Sequence, residues 1–354
     1  MAATNNPMIS GSMASVPNPN PVSSTTFHVA GILTTVYGLD LLPSPSQVSS
    51  VALLWLLHPR LQAQECMAPV AAAAIREWYS KGGDRKTGLI AVAFDQRNHG
   101  TRSVDKLANE AWRQGNKRHA LDMFSIYHGT ARDVSTLLDY LPAYIFPHDE
   151  RTITQNLVLG ISLGGHAAWH CLLQEPRITT AIAVIGCPDY TRLMTDRAAK
   201  SKLPTYVTSS PPGRNFIGSE DFPKSLMEQV EKYDPAGLLL GELDMVTGDD
   251  WKHEPSHTEK VRLQPILRDK LGGKKILCLS GGADKLVPYA CGEPFLRWLE
   301  NATKQGGWWS DGGFQLEDFV DPGAGHEYSA EMRKRAVAYI CRALAEDDGI
   351  KSKM

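Results

Sequence analysis

The chain has no excess of charge of either sign. Its 37 lysines and arginines face 39 aspartates and glutamates, a formal net charge of −2. That balance gives no electrostatic grip on nucleic acid or on an anionic membrane surface. No apolar run approaches the roughly 20 residues of a membrane-spanning helix, so no membrane span is expected. The N-terminus has neither the charged-then-apolar order of a secretory signal nor the arginines of a mitochondrial presequence. Cysteine is scarce, with 6 in 354 residues. No two cysteines form a C-x-x-C pair, and none clusters with histidine at zinc-finger spacing, so neither pattern points to a metal. Cys187 and Cys278 lie inside apolar runs, where free thiols act as small buried hydrophobes. Free thiols imply a reducing, intracellular compartment.

What is present is a globular composition. The chain's 354 residues are enough for one large domain with an insertion or for two modest domains, and with 42% apolar residues a sizeable core can be buried. Residues 1–24 are rich in Asn, Pro, Ser and Met and read as a disordered tail. A regular alternation follows. Strands are expected at 27–37, 51–57, 89–94, 157–161, 181–185, 275–279 and 314–320. Helices are expected at 66–79, at 131–141 (ended by Pro142), and at 164–173, 291–303 and 330–345. Continuous apolar strands alternating with helices predict an α/β fold, a mainly parallel sheet with helices on both faces. The core then spans 25–187 and 269–345, with a tail at 346–354. The stretch 188–268 is too long for an ordinary connection and reads as an inserted cap that covers the site and forms an apolar acyl pocket.

The strongest chemical signal is G-I-S-L-G at 160–164, set between an apolar strand and a helix. A nucleophilic serine at a sharp strand-to-helix turn projects its hydroxyl above the sheet. Side chains two residues to either side would collide with the neighbouring strand and helix, and Gly160 and Gly164 remove them. The helix that follows aims its positive end at developing negative charge.

With this elbow in place, the sequence resembles the α/β-hydrolase superfamily over roughly residues 27–345, as a fungal-type, esterase-like member. L-L-H-P at 56–59 is similar to the turn that supplies the oxyanion loop. F-D-Q-R-N-H-G at 94–100 is similar to the family's turn after the next strand. L-S-G-G-A-D-K-L-V-P at 279–288 resembles the segment carrying the acid, and P-G-A-G-H-E at 322–327 the loop carrying the histidine. The resemblance implies Ser162 as nucleophile, His326 as general base and Asp284 as the acid that orients it, in the chain order of the fold. Asp189 is the reserve acid. The oxyanion hole then uses the backbone N–H of Leu163 and a second donor from the loop after residue 57. Pro59 has no N–H, so Arg60 is the expected donor, with Leu61 next. Proline here departs from the family's His-Gly pattern.

The same resemblance gives Asp95 and Arg97 a role in holding loops together. His99 shares their turn. His128, His166 and His170 have no matching partners; His166, just past the elbow, is expected to pack its helix, with contact to the site as the alternative. Trp308 and Trp309, in a glycine-rich loop, are a binding surface or a surface anchor. The chain ends Ser352-Lys353-Met354, similar to the Ser-Lys-Leu address read by the peroxisomal import receptor; cytoplasm is the alternative.

The function expected is a serine esterase that cleaves a small or medium organic ester through an acyl-enzyme, without metal or cofactor. The fungal-type resemblance and the C-terminus suit a secondary-metabolite or peroxisomal pathway. An acyl-CoA thioesterase or acyltransferase is the alternative in chemistry. A peptidase fits less well, since no propeller or other large gating domain is evident. A non-catalytic binding protein on the same fold is the alternative in class; such proteins lose a triad member, and this chain retains all three.

Overall fold

A computed structural model of the chain describes residues 6–8, 21–80, 85–241 and 254–351. The apolar runs at its centre become strands because each can bury both faces. β3 (Ser50–Leu57), β4 (Thr87–Phe94), β5 (Thr152–Ile161), β6 (Ile178–Val184) and β7 (Lys275–Gly281) are buried over most of their length. Successive side chains of a strand point to opposite faces. In β3 this sends Val51, Leu53, Trp55 and Leu57 into one core and Ala52, Leu54 and Leu56 into the other. Each large side chain so buried contributes about 1.5–3 kcal/mol.

The sheet has eight strands, in the order β1-β2-β4-β3-β5-β6-β7-β8, where β1 is Ser24–Val29, β2 Ile32–Tyr37 and β8 Gln315–Asp321. Pairing is parallel from β4 through β8, and β2 is antiparallel to both β1 and β4. Helices α2 (His119–Ile145), α3 (Leu163–Gln174), α8 (His257–Leu271) and α9 (Tyr289–Thr303) complete the core on the Trp55 face. Helices α1 (Ala68–Ser80) and α10 (Ala330–Lys351) complete it on the Leu54 face. From β3 the chain passes to β4 on one side and then returns to β5 on the other. Such a reversal opens a crevice at the carboxyl ends of the strands, where ligands bind in open α/β sheets.

Two elements differ from the sequence reading. The expected single strand at 27–37 is a hairpin, because Ala30 and Gly31 both take positive φ, 50° and 78°, and turn the chain back on itself. The helix expected at 131–141 starts at His119 and passes Pro142. Gly129 reads as a breaker, yet a Cβ there would lie 2.5 Å from Nη1 of Arg97, so glycine serves to let that side chain cross the helix. Pro142 does not end the helix, which runs on to Ile145.

Between β6 and β7 lie α4 (Tyr190–Ser201), α5 (Pro204–Val207), α6 (Lys224–Tyr233), α7 (Pro235–Leu240) and α8. The Asp234 carboxylate accepts from the N–H groups of Tyr190 at 3.2 Å and Gly237 at 3.1 Å, which ties the start of α4 to the start of α7. Leu263, Leu267 and Leu271 of α8 join the Trp55-face core, so α8 is a covering layer of the sheet. The C-terminal Ser352-Lys353-Met354 and most of the N-terminal tail lie outside the described residues. Among the described residues no helix is long and apolar enough to cross a membrane.

Candidate active site

Ser162 joins β5 directly to α3, with φ 56° and ψ −112°. A non-glycine residue in that region is strained by about 1–3 kcal/mol and persists only where its surroundings enforce it. The enforcing contacts are visible. A Cβ on Gly160 would sit 1.8 Å from the Gly164 carbonyl oxygen, and one on Gly164 would sit 2.1 Å from that of Leu57. The Ser162 N–H donates to the Val184 carbonyl of β6 at 2.9 Å. Strand and helix therefore close on the turn from both sides, and the hydroxyl has one direction left, out of the sheet.

The other two residues arrive on neighbouring strand ends. Asp284 follows β7 and His326 follows β8. Their loops are stitched together: Gly282 N–H donates to Asp321 at 2.7 Å, and Ala283 N–H to Ala324 at 2.9 Å. The Ser329 hydroxyl donates to the Asp321 carboxylate at 2.7 Å, closing the far side of the histidine loop. In this frame Ser162 Oγ lies 2.9 Å from His326 Nε2, and His326 Nδ1 lies 2.8 Å from Asp284 Oδ2. Asp284 Oδ1 accepts from the N–H groups of Leu286 at 2.8 Å and Val287 at 2.9 Å. A carboxylate only accepts, so Nδ1 must carry the ring proton and leave Nε2 free to accept from the serine hydroxyl. The three residues singled out in the sequence thus form one hydrogen-bonded chain.

Asp189, the reserve acid, stands elsewhere. It caps α4, accepting from the Arg192 N–H at 2.9 Å and pairing with that guanidinium at 3.3 Å. Burial pushes its carboxyl up to about 6.

The turn after β3 is locked by the histidine of the L-L-H-P motif, to which the sequence reading gave no role of its own. His58 is fully buried; its Nε2 accepts the Gln96 N–H at 2.9 Å and its Nδ1 donates to the Pro59 carbonyl at 2.8 Å. The Gln96 side-chain amide returns a hydrogen bond to the His58 carbonyl. Burial holds this imidazole down to about 4, so it is neutral. The lock fixes how Pro59 and Arg60 leave the strand. Leu61 then turns at φ 63°. Among the described residues the N–H groups of Arg60, Leu61 and Leu163 meet no acceptor in turns or loops, and Arg60 and Leu163 line the same pocket as Ser162.

Asp95 binds the N–H groups of Gln64 at 2.9 Å and Thr101 at 2.8 Å, and Arg97 grips Asp133 through Nε at 3.1 Å and Nη2 at 2.9 Å. Both hold loops. His99 Nδ1 lies 2.9 Å from the Arg97 carbonyl. In the aromatic cluster around Phe124, His128 stacks on that ring and His170 meets it edge-on. His166 does more than pack its helix: it also lines the pocket beside Ser162, with Nδ1 3.0 Å from both the N–H and the carbonyl of Cys187. Burial lowers it to about 3. Trp309 is buried against Phe314, and Trp308 packs near Trp298; neither lines a cavity at Ser162.

The pocket at Ser162 opens beside a cavity of about 640 Å³ that reaches His326. Tyr190, Leu193 and Met194 of α4 supply apolar wall, as an acyl pocket in the insertion would. Arg60 and Arg197 line both spaces as well, so the wall is not the purely apolar one expected.

Comparison with known proteins agrees with this architecture. TT1662 from Thermus thermophilus superposes with a TM-score of 0.54 at 17% identity, covering 91% of this chain and 98% of that one. The acylaminoacyl peptidase of Pyrococcus horikoshii gives 0.51 at 10% identity, over 91% of this chain and 41% of that one. A putative dipeptidyl aminopeptidase IV from Bacteroides ovatus gives 0.51 at 13%, over 92% of this chain and 35% of that one. Among curated proteins no sequence matches significantly. The sequence model of the alpha/beta hydrolase family matches residues 52–338, most of the chain and all three residues of the hydrogen-bonded site, and the protein belongs to that family.

Proposed function

We propose that this hydrolase is a serine esterase, cleaving the carboxylic ester of a small or medium organic substrate through an acyl-enzyme. The observation that carries the reading is the unbroken hydrogen-bonded chain from Ser162 through His326 to Asp284, set at a strained elbow beside a cavity. Ser162 Oγ attacks the acyl carbon as its proton passes to His326 Nε2. Asp284 steadies the imidazolium that forms. The oxyanion of the tetrahedral intermediate accepts from the backbone N–H groups of Leu163 and Arg60. Collapse breaks the bond from the acyl carbon to the alcohol oxygen, and His326 returns the proton to that oxygen. Water repeats the sequence on the acyl-enzyme, releasing the acid and restoring the serine. In this reading α4, inside the 188–268 insertion, roofs the site.

The test is direct. The purified protein is expected to hydrolyse short 4-nitrophenyl esters without added metal, to resist chelators, and to react with a fluorophosphonate probe. Ser162→Ala should abolish both hydrolysis and labelling. Labelling that persists in the variant would remove Ser162 from its assigned role.

A further inference from the structure

Several half-buried arginines elsewhere in this molecule are matched with carboxylates, whereas Arg151 is held by the carbonyls of Val48 and Pro43. Arg97 and Arg102 share Asp133, Arg177 holds Glu175, and Arg192 holds Asp189. Two arginines at the candidate site are also without a matched carboxylate, and these line a cavity. Arg60 leaves β3 just past the His58 lock and donates through Nη1 to the Asn109 carbonyl at 2.8 Å. Arg197 projects from α4, its Nη1 3.2 Å from His119 Nε2 and its Nη2 donating to the Leu286 carbonyl at 3.4 Å. His119 Nδ1 lies 2.9 Å from the Glu110 carbonyl, so Nδ1 donates there and Nε2 accepts from Arg197. Arg197 Nε is buried with no hydrogen-bond partner. Neither guanidinium has a carboxylate within ion-pair distance among the described residues.

The two charges also share one site. Both line the small pocket holding Ser162 and the 640 Å³ cavity that reaches His326. Each guanidinium is held below its ordinary value, mainly by burial, and at Arg60 the charge of Arg197 adds to the effect. Arg113, Lys200 and Lys285 complete a basic lining, and no Asp or Glu contributes to it. Lys200 alone of these is paired, with Asp196 at 2.7 Å. This concentration of positive charge occurs in a chain whose formal net charge is −2.

Two unmatched, partly desolvated guanidiniums at one wall destabilise the empty site, because burial weakens hydration and like charges repel. An anion between them reverses both costs. A planar carboxylate or a phosphate also matches the fork of N–H donors that arginine presents. We infer that Arg60 and Arg197 form an anion-binding pair, and that the substrate is an ester or thioester bearing a carboxylate or phosphate group placed against them. The inference rests on the serine-hydrolase reading for the bond that is cleaved, but anion binding itself does not depend on catalysis. A carboxylate would lie in the acyl half, as in the half-ester of a dicarboxylic acid. A phosphate would lie in the leaving group, as in a coenzyme A thioester.

The experiment has two kinetic arms and one binding arm. In the first, mono-4-nitrophenyl adipate is compared with its neutral methyl ester. In the second, an acyl-CoA is compared with the same acyl group on phosphate-free pantetheine. A charge-assisted contact of this kind is worth about 10- to 100-fold. The anionic member of one arm should be preferred in kcat/KM by about that factor, chiefly through KM, and the preference should fall toward unity in Arg197→Met. Arg197→Lys should recover part of it, since the charge remains and the fork is lost. The arm that responds identifies the carboxylate or the phosphate. The binding arm is calorimetry of adipate and of coenzyme A with the wild type and Arg197→Met, with thermal melts to confirm that the variant is folded. Equal kcat/KM for charged and neutral members in both arms, or binding of adipate and coenzyme A unchanged in Arg197→Met, would overturn the pair. If every ester and the fluorophosphonate fail to react while adipate or coenzyme A still binds through Arg197, the esterase reading fails and the anion pair stands.

Discussion

The carboxylate of Asp284 is divided between two tasks: one oxygen meets His326 Nδ1 at 2.8 Å, while the other is held by the N–H groups of Leu286 and Val287. The acid is thus oriented by its own loop before it orients the ring. Its side chain is fully shielded from solvent, and that of His326 is 10% exposed.

This division sets the expectation for Asp284→Asn. The amide keeps the shape, and its oxygen can still accept from Leu286 and Val287. Its NH₂ group then faces Nδ1, which favours the tautomer with the proton on Nε2, and that nitrogen can no longer take the serine proton. Related triads lose about four orders of magnitude in kcat from the same change. The variant should melt near the wild type, bind substrate and turn over at background rate. Asp189→Asn, which alters only the cap of α4, should keep kcat within about tenfold. The two variants are compared on one 4-nitrophenyl ester. Near-normal turnover by Asp284→Asn, with loss in Asp189→Asn, would move the acid to Asp189.

Location is a separate proposal and stands on sequence alone. We propose that Ser352-Lys353-Met354 directs the protein to peroxisomes through the import receptor that reads such C-termini. A fluorescent protein fused to the N-terminus should give peroxisomal puncta, and deletion of these three residues should disperse them. A diffuse signal from the intact fusion would refute the address and leave cytoplasm.

Much of the fold was legible because its signals are local and redundant. The run from Val51 to Leu57 is short, wholly apolar and closed by His58-Pro59, as a doubly buried strand is, and Ser162 sits between two glycines whose absent side chains the packing requires. The order Ser162, Asp284, His326 came from the resemblance to the α/β-hydrolase superfamily, whose motifs each follow a strand here. The hairpin at Ala30-Gly31 escaped because alanine at positive φ is an uncommon turn residue. The long α2 escaped because Gly129 reads as a breaker until Arg97 is seen to cross it. The reading of Arg60 attended to its backbone N–H, whereas its side chain also lines the cavity. Arg197 carried no signal at all: a lone arginine in an insertion gains meaning only when folding places it in the same lining as another arginine.

The lock at His58 makes a prediction about acid stability. Burial holds His58 at about 4, whereas an unfolded histidine titrates near 6.5. The folded state therefore resists a proton that the unfolded state accepts. The stability this group contributes is fully present above pH 6.5 and is lost as pH falls from 6.5 toward 4. The slope is at most about 1.4 kcal/mol per pH unit for one histidine. His166, held near 3, acts in the same direction. Asp189, held near 6, acts in the opposite one, because its protonation in the folded state stabilises as pH falls. The total profile mixes these groups, so the informative quantity is a difference. His58→Gln keeps an acceptor for the Gln96 N–H but cannot titrate. It should cost roughly 1–3 kcal/mol at pH 7.5 through imperfect packing and hydrogen bonding. That penalty should shrink by about 1 kcal/mol per unit as pH falls from 6 to 5. Urea unfolding of both proteins across pH 7.5 to 4.5 measures it. Parallel profiles through that window would mean that His58 is protonated alike in the folded and unfolded states, and that the neutral lock on the Arg60 loop is wrong.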